Sequence, residues 1–131
     1  MAVLNEEQSM LRDAARTWTQ EKSPVSAFRK MRDSGAPLGY DPAVFAEMAE
    51  MGWTGVIIPE QYGGSEFGYL SLGLVLEELG RTLTASPLLA TALAAASGLI
   101  LGGTAAQKEA WLPKIASGEA VATLEIGRAH V

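Results

Sequence analysis

The sequence predicts an all-α domain, a helical bundle of about six helices with the start of a β-domain strand at its C-terminal end. Three observations predict it. Helix-start signals recur along the chain, at Asn5, Ser23-Pro24, Asp41-Pro42, Ser86-Pro87 and Thr104; each supplies an oxygen for the orphan amides of a first turn, or a proline whose absent N–H costs nothing there. Apolar residues follow those signals at spacings of three and four, the period of one helix face. Loose alternation of the kind a strand shows comes only after the last helical pattern, over residues 120–124.

The first helix starts at Asn5, with Gln8 at the capping-box position and Glu6 and Glu7 facing the positive end of the dipole. Its apolar stripe is Met10, Leu11, Ala14, Ala15 and Trp18. A short second helix has Ser23 as cap, Pro24 in its first position, Ala27, Phe28 and Met31 inward, and Ser34-Gly35 at its end. Asp41-Pro42 opens the third, which buries Val44, Phe45, Met48 and Ala49 and closes at Gly52, with Trp53 over the end.

Val56-Ile57-Ile58-Pro59 is β-branched and stopped by proline, so it reads as an extended buried connector. The following loop, residues 60–68, carries three glycines and two aromatic rings that would hold it down. Leu72, Val75, Leu76 and Leu79 define the fourth helix, with Glu77 and Arg81 spaced for an i,i+4 ion pair. Ser86-Pro87 starts an apolar fifth helix that ends at Gly102-Gly103. Thr104 and Gln107 form a second capping box, opening a sixth helix that carries Ala110, Trp111 and Leu112 and is kinked or shortened by Pro113.

Composition bounds the function. Of 131 residues 48% are hydrophobic and 19% charged, which suits one folded domain. The net charge of -5 includes no basic stripe, so nucleic acid is not an expected partner. Cysteine is absent, which excludes disulfides and thiolate metal sites, and the first residues lack the pattern of a signal peptide, so a cytoplasmic protein is expected. No charge lies between Arg81 and Lys108. The continuous apolar part, residues 88–101, would span about 21 Å as a helix against a hydrocarbon core of about 30 Å. A buried core helix, not a membrane span, is expected.

Residues 125–131, Glu-Ile-Gly-Arg-Ala-His-Val, break with the preceding pattern and look like a translated sequencing adapter. They are set apart from fold reasoning, and with them the sole histidine, His130.

Four motifs in register carry a family signature: Asn5-Glu6-Glu7-Gln8 with Arg12; Ile58-Pro59-Glu60-Gln61-Tyr62-Gly63-Gly64; Leu76-Glu77-Glu78-Leu79-Gly80; and Gln107-Lys108, Trp111-Leu112-Pro113 and Ser117-Gly118-Glu119. Together, over residues 4–124, they resemble the N-terminal domain of the acyl-CoA dehydrogenases. The resemblance implies a helical domain over residues 1–118, the first residues of a β-domain over 119–124, and a C-terminal helical bundle beyond. FAD and an acyl-CoA thioester would bind between these parts. In such enzymes a glutamate removes the α-proton while the β-hydrogen leaves as hydride to the flavin. That base would lie in the C-terminal bundle, and a flavin-contacting Thr-Glu-Pro stretch just after Leu124, so no catalytic residue is expected here.

The resemblance further implies a homo- or hetero-oligomer with an electron-transfer partner. By alignment on Gln107-Lys108 it points to Ser86, Pro87, Ala90 and Ala94 as wall of the acyl pocket, small enough for a bulky or branched acyl group, and to Leu124 as the place where backbone first meets the flavin. Core packing competes for each of the four. Glu60, Glu66, Glu77 and Glu78 read as solvated charge, two on a loop and two on an outer helix face, and Gly63-Gly64 as a structural loop with no phosphate-binding pattern. Gly98-x-x-x-Gly102 permits close approach of another backbone. Two rivals remain at this stage: a free-standing helical module dimerising through its fifth and sixth helices, and an acyl-CoA oxidase or flavin monooxygenase on the same scaffold.

Overall fold

The computed structural model describes residues 3–127. Helix α1, Glu6–Lys22, begins where the cap chemistry places it: Asn5 Oδ1 accepts from the Gln8 N–H at 2.8 Å and Gln8 Oε1 from the Asn5 N–H at 3.1 Å. Its inner face is Ala15, Trp18 and Thr19, with Leu11 half-buried; Met10 and Ala14, expected inward, are exposed. Helix α2, Val25–Ser34, starts one residue later than expected, because Ser23 ends α1 and Pro24 takes the cap position. Helix α3, Pro42–Glu50, is capped by Asp41 and buries Phe45 and Met48.

The connector after α3 is buried as expected, with Val56, Ile57 and Ile58 all inside, but it is not extended. Gly52, at φ +79°, turns the chain into a 3₁₀ turn, Trp53–Gly55, and Ile58 N–H closes a further turn on the Gly55 carbonyl. The loop that follows forms a second 3₁₀ turn, Glu60–Tyr62, then folds back, with the amides of Ser65, Glu66 and Phe67 donating to the carbonyls of Gly55, Ile58 and Val56. Tyr62 packs on the core, whereas Phe67 is exposed, so hydrogen bonds rather than two rings hold the loop. Gly64 makes the fold-back possible: a Cβ there would sit 1.9 Å from the Ile58 carbonyl oxygen.

Helix α4, Gly68–Arg81, lies against α1 and buries Leu72, Leu74, Val75 and Leu79. The fifth helical segment is two structures in succession. A π-helix, Leu89–Ala95, runs without a break into α5, Ala96–Gly102. Helix α6, Ala105–Ala116, opens with the Thr104–Gln107 capping box and packs on both 3₁₀ turns and the π-helix. It runs through Pro113 and is not cut short there, because buried Leu112 and Ile115 hold its last turn. Trp111 faces outward and is 50% exposed, since Leu112 and Ile115 occupy the inner stripe.

Six α-helices and no strand are found among the described residues, an all-α fold. Residues 120–127 leave α6 without regular structure. A lone strand has no neighbour for its backbone groups, and the expected strand start at 119–124 instead finds hydrogen bonds on helices. Ala120 N–H donates to the Lys114 carbonyl at 3.0 Å, and Ala122 pairs with the Thr91 hydroxyl. Of the expected adapter segment, residues 128–131 with His130 lie outside the described residues.

Candidate functional site

The end of α4 and the start of the π-helix are joined by a tight corner. Thr82 closes α4, Leu83 takes a left-handed φ of +55°, and the Thr82 and Thr84 hydroxyls meet at 3.0 Å. Ser86 then turns the chain into the next helix: its Oγ accepts from the Leu88 N–H at 3.0 Å and donates to Met48 Sδ at 3.3 Å. The corner leaves an apolar groove of about 290 Å³ between Leu79, Gly80, Leu83, Ser86 and Leu89.

Ser86 is the one of the four expected pocket-wall residues that lines this groove. Its hydroxyl is already committed to the fold. Pro87 lends its carbonyl to the Thr91 N–H at 2.9 Å, and Ala90 and Ala94 are half-buried along the π-helix. Ser86 and Pro87, in the turn before the π-helix, and Ala90 and Ala94, within it, thus follow one another along the chain without converging on one cavity.

Leu124 lies elsewhere, on the rim of a larger cleft of about 500 Å³ bounded by α5, α6 and residues 121–124. Gly98, Leu99, Trp111, Ile115 and Val121 complete an apolar lining, and Leu124 itself is 59% exposed. The Gly98-x-x-x-Gly102 spacing is not used for backbone contact among the described residues: a Cβ on Gly98 would meet Leu124 Cδ1 at 3.6 Å, and one on Gly102 would meet nothing within 4 Å. Trp111 belongs to this cleft, with Lys114 Nζ 5.4 Å from its ring centroid. Helical phase alone does not place it: Trp111 stands about 100° from Leu112 but only about 40° from Ile115, at the border of the inner face.

Glu78 is the largest departure from expectation. It is 2% exposed rather than on an outer face. Arg16 of α1 reaches it with two bonds, Nη2 to Oε1 at 2.9 Å and Nε to Oε2 at 3.3 Å, and Arg81 Nε approaches Oε2 at 3.4 Å. The hydrogen bond and charge of Glu78 raise the Arg16 guanidinium above its ordinary pKa. A cation whose pKa is raised on folding keeps its contribution below its ordinary pKa and loses it above, so this partner stays charged until strong alkali. Glu77 pairs with Arg81 at 2.6 Å, as its spacing predicts. Glu60 and Glu66 are exposed loop residues, and no group of three metal-ligating side chains occurs among the described residues. No helix among them is long and apolar enough to cross a membrane.

Comparison with known proteins fits this architecture. The family described as acyl-CoA dehydrogenase, N-terminal domain, matches residues 5–119. The chain is 42% identical to a (2S)-methylsuccinyl-CoA dehydrogenase of Cereibacter sphaeroides, over 92% of this chain and 22% of that protein. It is 34% identical to a mitochondrial isovaleryl-CoA dehydrogenase of Pongo abelii, over 92% of this chain and 29% of the relative. The solved butyryl-CoA dehydrogenase of Megasphaera elsdenii superposes with a TM-score of 0.77 at 27% identity, over 92% of this chain and 32% of that one. The chain thus spans between a fifth and a third of the length of the proteins it matches. With the capped helices, the folded-back Gly63-Gly64 loop and the α1–α4 pairing all lying within the matched residues, the chain belongs to the acyl-CoA dehydrogenase family, as its N-terminal helical domain.

Proposed function

We propose that the chain is the N-terminal part of an FAD-dependent acyl-CoA dehydrogenase acting on a short, methyl-branched acyl-CoA, with the catalytic base supplied by residues beyond this domain. The observation that carries it is the 42% identity, over 92% of the chain, to a protein named for methylsuccinyl-CoA. Isovaleryl-CoA, in the name of a second relative, is methyl-branched as well.

The chain's own residues would bind and exclude water. Ser86 and Pro87 at the turn into the π-helix, and Ala90 and Ala94 along it, present little side-chain bulk, which suits a wall beside a branched acyl group. Thr123 and Leu124 have no backbone hydrogen-bond partner among the described residues and border an apolar cleft, so backbone at Leu124 can meet the polar edge of a ring system lying on that wall. FAD, when bound, supplies the acceptor for the hydride leaving the β-carbon. A homo- or hetero-oligomer, an electron-transfer protein as acceptor and a cytoplasmic location complete the proposal.

The test is to purify the longer gene product and titrate it anaerobically with isovaleryl-CoA, methylsuccinyl-CoA and butyryl-CoA. Bleaching of a bound flavin by the branched thioesters is expected. A product that retains no flavin would overturn the activity, and preference for butyryl-CoA would overturn the substrate class.

A further inference from the structure

The chain leaving α6 is tied down at three successive points, each through a different element. Buried Thr54, in the 3₁₀ turn after α3, donates its hydroxyl to the Ala116 carbonyl at 2.8 Å. Gly118, at φ +79°, presses so closely on Ala49 of α3 that a Cβ would lie 2.4 Å from the alanine methyl. Four residues later the Thr91 hydroxyl donates to the Ala122 carbonyl at 2.9 Å and accepts from the Ala122 N–H at 3.2 Å.

The last contact is unusual in form. One side chain satisfies both backbone groups of one residue, which is what a neighbouring strand would do for it. Thr91 has no exposed surface and sits within the π-helix, a wide turn that alters which side chains of the segment face residue 122. The result is that residues 121–124 are held across the mouth of the apolar cleft without any strand to pair with.

We infer that Thr91 is a positioning residue, a two-way latch that docks residues 121–124 on the helical domain and so sets the path by which the chain reaches the flavin side. The flavin part of this statement rests on the function proposed above; the latch does not. Replacing the hydroxyl by a methyl leaves both Ala122 groups facing carbon, and they recover partners only by moving to water.

The experiment is residue-resolved amide hydrogen exchange on the 131-residue chain with Thr91→Val and Thr91→Ser. Thr91→Val should speed exchange at Ala122 by about tenfold or more, since two bonds of ordinary strength are lost. Ala120, held by the Lys114 carbonyl, and the α4 amides should keep their protection. Thr91→Ser retains the hydroxyl and should restore slow exchange at Ala122, which methyl packing alone would not predict. Equal exchange at Ala122 in Thr91→Val and the parent overturns the latch, as does release of the segment in Thr91→Ser. Loss of α4 protection in Thr91→Val also overturns it, because the hydroxyl would then belong to the core at large. Flavin content of the longer protein carrying Thr91→Val separates the two ideas. Release of the segment with flavin fully retained leaves the latch standing and removes its link to the flavin site.

Discussion

The α1–α4 interface and the face made by α5, α6 and residues 121–124 draw on similar residues and finish differently. At the first, Glu78 of α4 is closed off by Arg16 of α1 and Arg81 of its own helix. Beside it Trp18 of α1 meets Trp53 of the 3₁₀ turn after α3 edge to face with centroids 5.2 Å apart, while its indole N–H finds Glu47 Oε2 of α3 at 3.1 Å. At the second, Trp111, Val121 and Leu124 are about half exposed around a cleft of about 500 Å³. The difference teaches which part of the domain is scaffold. A closed interface with every polar group partnered carries stability, and apolar surface left open is surface reserved for contact.

Substitutions that strike the closed region should therefore cost most. Trp53→Ala, at a side chain 1% exposed beneath α1, α3 and α6, should lower unfolding free energy by about 3 to 5 kcal/mol. Urea midpoints at constant m-value measure it, and a loss below 1 kcal/mol would break the contrast between the two regions. Gly64→Ala comes next. The added Cβ meets backbone, not a movable side chain, so about 3 kcal/mol should be lost with the loop pushed off Ile58.

Glu78→Gln sharpens the comparison at the ion pair. The shape is kept and the charge removed, so about 1 to 2 kcal/mol should go, with Arg16 and Arg81 returning to water. Arg16→Ala should cost more than Glu78→Gln, because it leaves the buried carboxylate rather than the accessible cation short of a partner. Thermal unfolding of the two variants in parallel gives the order. The smallest effect lies in the open region and has the opposite sign. Gly98→Ala places a Cβ at ordinary contact distance from Leu124 inside a helix, and should gain about 0.5 to 1 kcal/mol. A loss there would show that the cleft is packed more tightly than its distances say.

Local chemistry was legible in the sequence at most places where partners lie within four residues, Ser23 being an exception, since it ends α1 rather than capping α2. Both capping boxes, the Asp41 cap and the Glu77–Arg81 pair are found as read. The buried connector was legible as burial but not as conformation, since hydrophobicity reports the environment and Gly52 decides the turn. Glu78 was read as solvated because its partner Arg16 stands 62 residues away on another helix. Trp111 stands at the border of the inner stripe of α6, about 40° from Ile115 and about 100° from Leu112, so local phase did not settle its side. Of the site, Ser86 and Leu124 each reach a cavity, two different ones, and Thr91 was passed over.

By itself the sequence determined an all-α domain, most of its helix starts, its family and an apolar segment too short to span a bilayer as a helix, because periodicity and caps are short-range properties. Only the tertiary structure decided which charge is buried, where the fifth segment widens to a π-helix, and how residues 121–124 dock. Those outcomes depend on groups 31 to 62 residues apart meeting in three dimensions, and no local pattern encodes such a meeting.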